Sequence, residues 1–232
     1  GGGSLMTPIL ISLFRIEPHI AIGTDLLYAA VSKFCGSFVH AKKMNIVWPI
    51  VIWLAVGSIP ASFATHWVLD NFLSQSTHYK SVLTMVLGFM LTLTGISIVF
   101  RTKIEAFFNR YRKDEQEDHS ADLSRSNIAL QAKNKRALIV IMGVILGVFV
   151  TLSSVGAGSF GIMALVLMFP NLPMIRIIGS DVVHAVLLTL VAGLGYMSSG
   201  NVDFNLLMWL LVGSIPAIVV CTLLSSRLPE KS

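Results

Sequence analysis

Charge is what this sequence lacks most. Only 12% of its 232 residues are charged, whereas 54% are hydrophobic, and the mean hydropathy is +0.77. A soluble domain usually carries about twice that share of charged residues. The shortage of charge therefore excludes an ordinary soluble fold and predicts a protein that lies within a lipid bilayer.

Cysteine is also scarce, with two residues in the whole chain. Cys35 and Cys221 both stand inside apolar runs, which is typical of small buried hydrophobic side chains. The count excludes a disulfide framework. We expect neither a metal ion nor a cofactor.

Long apolar runs are what the sequence has in place of charge. A helix needs roughly 18–20 apolar residues to cross a bilayer. Five runs are nearly free of charge, and a sixth contains only Asp25 and Lys33. They predict an all-α, polytopic membrane protein. The five runs are 47–69, 81–100, 137–152, 177–197 and 204–224, and the sixth is 20–39.

The net charge of +5 is concentrated in one segment, because nine of the seventeen Lys and Arg residues lie within 101–136. Basic segments beside membrane spans indicate the cytoplasmic side, so we reject nucleic acid as a partner and expect a lipid bilayer. The polar composition of this segment predicts a cytoplasmic linker. It joins a first membrane unit, 1–100, to a second, 137–232, and homo-oligomerisation is left open.

The two membrane units repeat one another. WLAVGSIPA at 53–61 and WLLVGSIPA at 209–217 match at eight of nine positions, and an offset of 156 residues aligns the two copies without a gap. Internal duplication of this kind is typical of transporters. The basic residues change sides between the copies, which favours an inverted repeat. Because 81–100 and 137–152 have no counterpart in the other copy, we expect one span to be missing at each end.

A glycine-rich break opens each copy, and a short apolar segment follows it: Leu5–Phe14 in the first and Phe160–Phe169 in the second. About ten residues at ~1.5 Å each cannot span the bilayer, so both segments predict helices that begin inside the membrane. Such an N-terminus offers unpaired N–H groups and a positive dipole to an anion. Tight hairpins whose glycines only aid packing are the alternative. The candidate anion-binding residues are Gly1, Gly2, Gly3, Ser4, Gly156, Gly158 and Ser159.

An acid recurs in each copy within the motif Gly-Thr/Ser-Asp. If the helices begin near Pro18 and Pro173, Asp25 and Asp181 lie roughly 10–12 Å along them, where an acid is costly and is a functional candidate. A carboxyl with a phenol or imidazole three residues later, on the same helical face, would relay a proton or orient a substrate oxygen. A structural polar clamp is the alternative. The motif adds Thr24 and Ser180 to the substrate-binding set, and Tyr28 and His184 to the proton- or ion-coupling set.

Three further polar residues each stay open to two interpretations. Lys33 is a counter-charge for an anion or for Asp25, or else its side chain extends to the cytoplasmic edge. Asn45 and Asn201 lie in turns between helices, where Asn commonly closes the turn, with a gate as the alternative.

The GSIPA motif is expected to build the frame, because its small residues permit close packing and its proline bends the helix.

These patterns favour a secondary transporter for a small anion, working by alternating access between the two repeats, and not an enzyme. An intramembrane hydrolase with Ser159 as nucleophile and His184 as base is the second hypothesis, although the residues flanking Ser159 form no familiar nucleophile motif. An anion channel or a membrane scaffold is the third.

At these motifs the chain resembles the sulfite exporter TauE/SafE family of anion permeases. The likeness rests on GGGSLMTPIL, on AIGTDLLYAAVSKFCGSFVHAKKMNIVWP and on IIGSDVVHAVLLTLVAGLGYMSSGNVDF, and it covers both repeats. It implies a bacterial inner-membrane permease for sulfite, sulfoacetate or another small inorganic or organosulfur anion. The family's glycine-rich turn corresponds to Gly1–Ser4, whereas the second copy departs from it and reads GAGSFG.

Overall fold

The regular structure of the protein, taken from a computed structural model, is helical throughout the described residues. These are residues 3–40, 46–73, 81–96, 136–155, 158–169 and 172–225. The all-α prediction is confirmed for them. The helices are α1 (Gly3–Ser12), α2 (Pro18–His40), α3 (Trp48–Val68, continued by a π-helical turn, Leu69–Leu73), α4 (Ser81–Ile96), α5 (Arg136–Ser153), α6 (Ser159–Met168), α7 (Met174–Ser198) and α8 (Phe204–Ser225).

Helices begin at matching places in the two copies. The first residues of α1 and α6, of α2 and α7, and of α3 and α8 are each separated by 156 residues. Proline contributes to these starts, because it lacks an N–H that the first helical turn would leave unpaired. Pro18 opens α2, whereas Pro173 is the N-cap residue of α7 and not, as predicted, a first-turn residue. The common spacing is what the predicted duplication requires.

The two short helices have the length that the sequence predicts. Both α1 and α6 contain 10 residues, which is about 15 Å and half of a hydrocarbon core. They begin slightly earlier than expected, two residues before Leu5 and one before Phe160. Gly158, the N-cap residue of α6, has a φ of 139°, a conformation that favours glycine.

Three described helices are long and apolar enough to cross a membrane: Trp48–Asn71, Arg136–Ser153 and Met174–Ser198. Trp48 and Trp67 stand near the two ends of α3 with exposed fractions of 58% and 59%, as is usual for indoles at the two faces of a bilayer. Arg136 begins α5, so it belongs to a helix and not to the predicted linker. The rest of the linker, 101–135, lies outside the described residues.

Glycine brings α3 and α5 together backbone to backbone. A Cβ atom added to Gly57 on α3 would collide with the carbonyl oxygen of Val140. On α5, a Cβ atom at Gly143 or at Gly147 would collide with a backbone carbonyl oxygen of α3. Small residues four apart allow this approach in a membrane, so in the first copy GSIPA does build the frame, as predicted.

The helices α2 and α7 occupy equivalent places in the two copies and pack against each other in opposite directions. Gly23 meets Tyr196, whereas Leu27, one turn later on α2, meets Gly193, one turn earlier on α7. In addition, α3 packs on α7 and α2 packs on α8, and these two pairings exchange when the copies are exchanged. An antiparallel pair of equivalent helices is the arrangement that an inverted repeat would give.

The second copy of GSIPA has different surroundings. No described atom lies within 4 Å of a Cβ atom placed on Gly213 of α8, and the neighbouring Trp209 and Val212 are exposed by 72% and 61%. The prediction that this motif packs closely on a helix is therefore fulfilled only in the first copy.

Cys35 is half-buried and not fully buried as expected, and the side chain of Cys221 lies outside the described residues.

Candidate functional site

Two acids lie at the packed surface of α2 and α7, one on each helix. Asp25 is 0% exposed and Asp181 is 1% exposed. A carboxyl at this depth is costly unless it is protonated, hydrogen-bonded or paired with a positive charge. The groups that surround each carboxyl therefore decide what it can do.

Asp25 is surrounded by hydroxyl groups. The Thr7 hydroxyl, on α1, donates to Oδ2 of Asp25 at 2.5 Å. The Ser154 hydroxyl, at the end of α5, lies beside the same carboxyl. However, neither Ser154 Oγ nor Asp25 Oδ1 has a hydrogen-bond partner of acceptable geometry among the described residues. Thr7 and Ser154 were not predicted as site residues, because only the fold brings α1 and α5 to α2.

Asp181 lies against the first turn of α6, the short helix of its own copy. A Cβ atom at Gly161 would collide with Oδ1 of Asp181, so only glycine leaves room for this carboxyl. Oδ2 of Asp181 is buried and has no hydrogen-bond partner among the described residues. The N-terminal end of a helix carries a partial positive charge, which favours a carboxylate or an anionic ligand at this place.

His184 is held by a serine of the GSIPA motif. Its Nε2 atom lies 2.8 Å from Ser58 Oγ on α3, and both residues are buried. Sequence reasoning assigned GSIPA to the frame alone and missed this contact. The hydrolase hypothesis pairs His184 with Ser159, but the described partner of Nε2 is Ser58. In the other copy, Ser214 Oγ is buried without a partner among the described residues.

Lys33 is a basic residue that interacts with both acids. It lies within electrostatic range of Asp181 and of Asp25, with the larger interaction at Asp181, and it also acts on His184. Its half-buried position on α2 is compatible with the predicted role as a counter-charge. Thr189 takes its place on α7 and donates only to carbonyl oxygens of its own helix.

Thr24 and Ser180 make equivalent hydrogen bonds in the two copies. The Thr24 hydroxyl accepts from the backbone N–H of Asp203 at 3.1 Å, and the Ser180 hydroxyl accepts from that of Val47 at 2.9 Å. Each hydroxyl thus caps the start of a helix in the opposite copy. Their predicted role in substrate binding stays a prediction, since the described bonds are structural.

The remaining predicted site residues are in part described and in part outside the description. Gly3 begins α1 and Gly158 precedes α6, while Tyr28 is half-buried on α2. Asn201 lies in the turn after α7, where its backbone N–H donates to the Tyr196 carbonyl. Outside the description lie Gly1, Gly2, Gly156 and Asn45, and the side chains of Ser4 and Ser159.

A second polar cluster, formed by His66, Asp70 and Ser199, lies at the C-terminal ends of α3 and α7. The Ser199 hydroxyl donates to Oδ2 of Asp70, and Nε2 of His66 lies 3.0 Å from Ser199 Oγ and 3.4 Å from the same carboxyl oxygen. Sequence reasoning missed it because Ser199 comes from a distant segment of the chain. The four-residue spacing of His66 and Asp70 was the available signal.

Three described helices that are long and apolar enough to cross a membrane define the class as an integral membrane protein, and two of the described helices bury an acid. The whole chain, residues 1–232, matches the family described as Sulfite exporter TauE/SafE. The chain therefore belongs to the TauE/SafE sulfite exporter family.

Several relatives carry transporter names. The chain is 36% identical to "Probable membrane transporter protein YjnA" of Bacillus subtilis (strain 168), over 98% of this chain and 83% of that protein. It is 26% identical to "Probable membrane transporter protein YdhB" of the same strain, over 99% of this chain and 84% of the relative. A "Probable membrane transporter protein" of Xylella fastidiosa (strain 9a5c) is 25% identical to the chain, over 98% of this chain and 78% of the relative. No solved structure matches the chain.

Proposed function

We propose that the protein is a secondary transporter for a small sulfur-containing oxyanion, sulfite or an organosulfonate, and that it works by alternating access. The observation that carries the proposal is the pair of buried acids, Asp25 and Asp181. They occupy equivalent places on two antiparallel helices, and each lies close to the short helix of its own copy. Paired sites of this kind at broken helices are typical of transporters with internal repeats.

The anion would bind at the N-terminal ends of the short helices. Unpaired N–H groups and the helix dipole favour negative charge there, and the basic side chain of Lys33 lies within electrostatic range of Asp181. Asp181 then competes with the anion for the same positive groups. Protonation of Asp181 would remove this competition, so that anion binding and proton uptake occur together.

Movement of one repeat against the other would carry the site from one side to the other. The contact between α2 and α7 is the natural place for such movement, because it joins the two copies and contains both acids. Alternating access predicts exchange of substrate, which an open channel does not perform.

A counterflow experiment tests the proposal. Proteoliposomes loaded with unlabelled sulfite should accumulate external labelled sulfite, whereas a channel would only equilibrate it. Asp181→Asn should lower pH-dependent uptake at least about tenfold, which corresponds to ~1.4 kcal/mol. The same assay with sulfate, thiosulfate and sulfonates as competitors ranks the substrates.

Asp203→Asn is the matched control. Asp203 is an exposed acid whose Oδ1 accepts from the N–H of Leu206 at the start of α8, and asparagine preserves such a cap. Its uptake should equal that of the wild type. Absence of counterflow with every anion, from protein that is folded by thermal unfolding, contradicts the transporter proposal. Unchanged uptake by Asp181→Asn at all pH values contradicts the coupling role.

A further inference from the structure

We propose that Thr7, Asp25 and Ser154 form a binding site for one sodium ion at the C-terminal end of α5. A role of this ion in driving transport, beside the proton at Asp181, rests on the transport function proposed above, whereas its binding does not. Met163 takes the place of Thr7 in the second copy, so the two acids have different surroundings.

The first argument is the set of oxygen atoms left without a partner. Asp25 Oδ1 and Ser154 Oγ are buried and lie beside each other, and neither has a third described residue as a hydrogen-bond partner. Asp25 is 0% exposed and Ser154 is 7% exposed. A buried polar atom without a partner costs about 1–3 kcal/mol. A ligand that accepts electron pairs from both oxygens removes this cost.

The second argument is the sign of the local field. Ser154 directly follows the last residue of α5, Ser153, and its φ of 56° turns the chain out of the helix. The last carbonyl groups of a helix give this end a partial negative charge. A carboxylate beside this end is unfavourable, and a cation bound between them removes the repulsion. Helix C-terminal ends in transporters hold small cations for the same reason.

The third argument is the chemistry of the donor set. Thr7 uses its proton in the bond to Asp25 Oδ2 at 2.5 Å, so its oxygen keeps electron pairs for a cation. The site then offers one carboxylate and two hydroxyls, which are hard oxygen ligands. A single carboxylate balances one positive charge. A divalent ion usually recruits more acids, and no cluster of three His, Cys, Asp or Glu residues occurs in the described part of the chain.

The surroundings of Asp181 differ from those of Asp25. Met163 stands where the first copy has Thr7, and Gly161 brings Asp181 against the positive end of α6. The sodium site is therefore placed at Asp25, where Thr7 of the first unit meets Ser154 of the second.

Thermal unfolding of the purified protein, without any transported anion, tests the site. We expect sodium chloride to raise the unfolding temperature in a saturable manner compared with equal potassium chloride or choline chloride, because a ligand of the folded state stabilises it. Asp25→Asn, Thr7→Val and Ser154→Gly should each raise the apparent sodium Kd at least tenfold. Ser154→Gly suits a left-handed φ, so loss of sodium binding in this variant is not a folding defect.

Thr189→Val is the matched control, since it also removes a buried threonine hydroxyl, but one that bonds only to its own helix. Its sodium response should equal that of the wild type. Equal unfolding temperatures in sodium and choline overturn the proposal, and so does an unchanged sodium response in Thr7→Val and Ser154→Gly. Sulfite counterflow without any sodium effect on stability leaves the transporter proposal intact and rejects the sodium site. A sodium effect without counterflow supports the site and rejects the transporter.

Discussion

The two copies of the repeat share their helix starts but not the contacts of their side chains. In both copies a ten-residue helix precedes a long helix with a buried acid. The aligned residues around the acids differ: Thr7 of the first copy corresponds to Met163 of the second, and Lys33 corresponds to Thr189. The comparison teaches that duplication supplies a frame with two equivalent positions, and that single substitutions then give these positions different chemistry.

The contacts of the GSIPA motif also differ between the two copies. Gly57 is in contact with the backbone of α5, whereas Gly213 faces no described atom within 4 Å. Ser58 is bonded to His184, whereas Ser214 has no described partner. The same GSIPA motif therefore contributes differently to the free energy of unfolding in the two copies. Paired substitutions at equivalent positions can break or sharpen this comparison.

The largest difference is expected between the two acids. Asp25→Asn should abolish sodium-driven uptake of sulfite, whereas Asp181→Asn should lower proton-driven uptake at least about tenfold, or ~1.4 kcal/mol, and leave an exchange that no longer depends on pH. The reason is that asparagine at position 181 neither competes with the anion nor takes up a proton. Uptake and exchange in the same proteoliposomes provide the measurement. Identical losses in both variants would show that the acids are functionally equivalent.

A large difference in stability is expected between the two motif glycines. Gly57→Ala should destabilise the fold by about 3 kcal/mol, near the upper end of overpacking costs, because the new Cβ meets the rigid backbone of α5. Gly213→Ala should be neutral or stabilising by up to about 1 kcal/mol, since alanine is the better helix former. Thermal unfolding in detergent measures both. A cost at Gly213 as large as that at Gly57 contradicts the open position of Gly213.

The two motif serines should differ by a smaller amount. Ser58→Ala removes the partner of His184 Nε2 and should cost about 2 kcal/mol, the usual penalty for a buried polar atom left unsatisfied. Ser214→Ala removes a hydroxyl without a described partner and should cost nothing. Unfolding measurements on the two single variants make the comparison. Equal costs would show that Ser214 bonds to a group outside the described residues.

The smallest effects are expected at the two hydroxyls that cap the opposite copy. Ser180→Ala and Thr24→Val should each cost about 1 kcal/mol, the usual contribution of one hydrogen bond. Ser180→Ala should cost slightly more, because the bond from Val47 is fully buried and the bond from Asp203 is only partly buried. Unfolding temperatures test the values. A role in anion binding would instead appear as a higher KM for sulfite in either variant.

Sequence reasoning predicted the frame well and the environment of the site poorly. Hydropathy and proline placed the long helices close to their observed bounds, since those signals are local. The acids were found because a charge inside an apolar run is conspicuous. Thr7, Ser154 and Gly161 escaped notice because each is unremarkable in its own segment and becomes important only beside a carboxyl from another helix.

The sequence by itself determined that the chain is an apolar, duplicated helical protein with an acid in each copy, because a bilayer admits few other ways to satisfy the backbone. Only the tertiary structure decided which end of a helix each acid meets. Asp25 lies beside the C-terminal end of α5 and Asp181 beside the N-terminal end of α6. The field at a carboxyl depends on atoms from other segments, and no local pattern records which segments will be its neighbours.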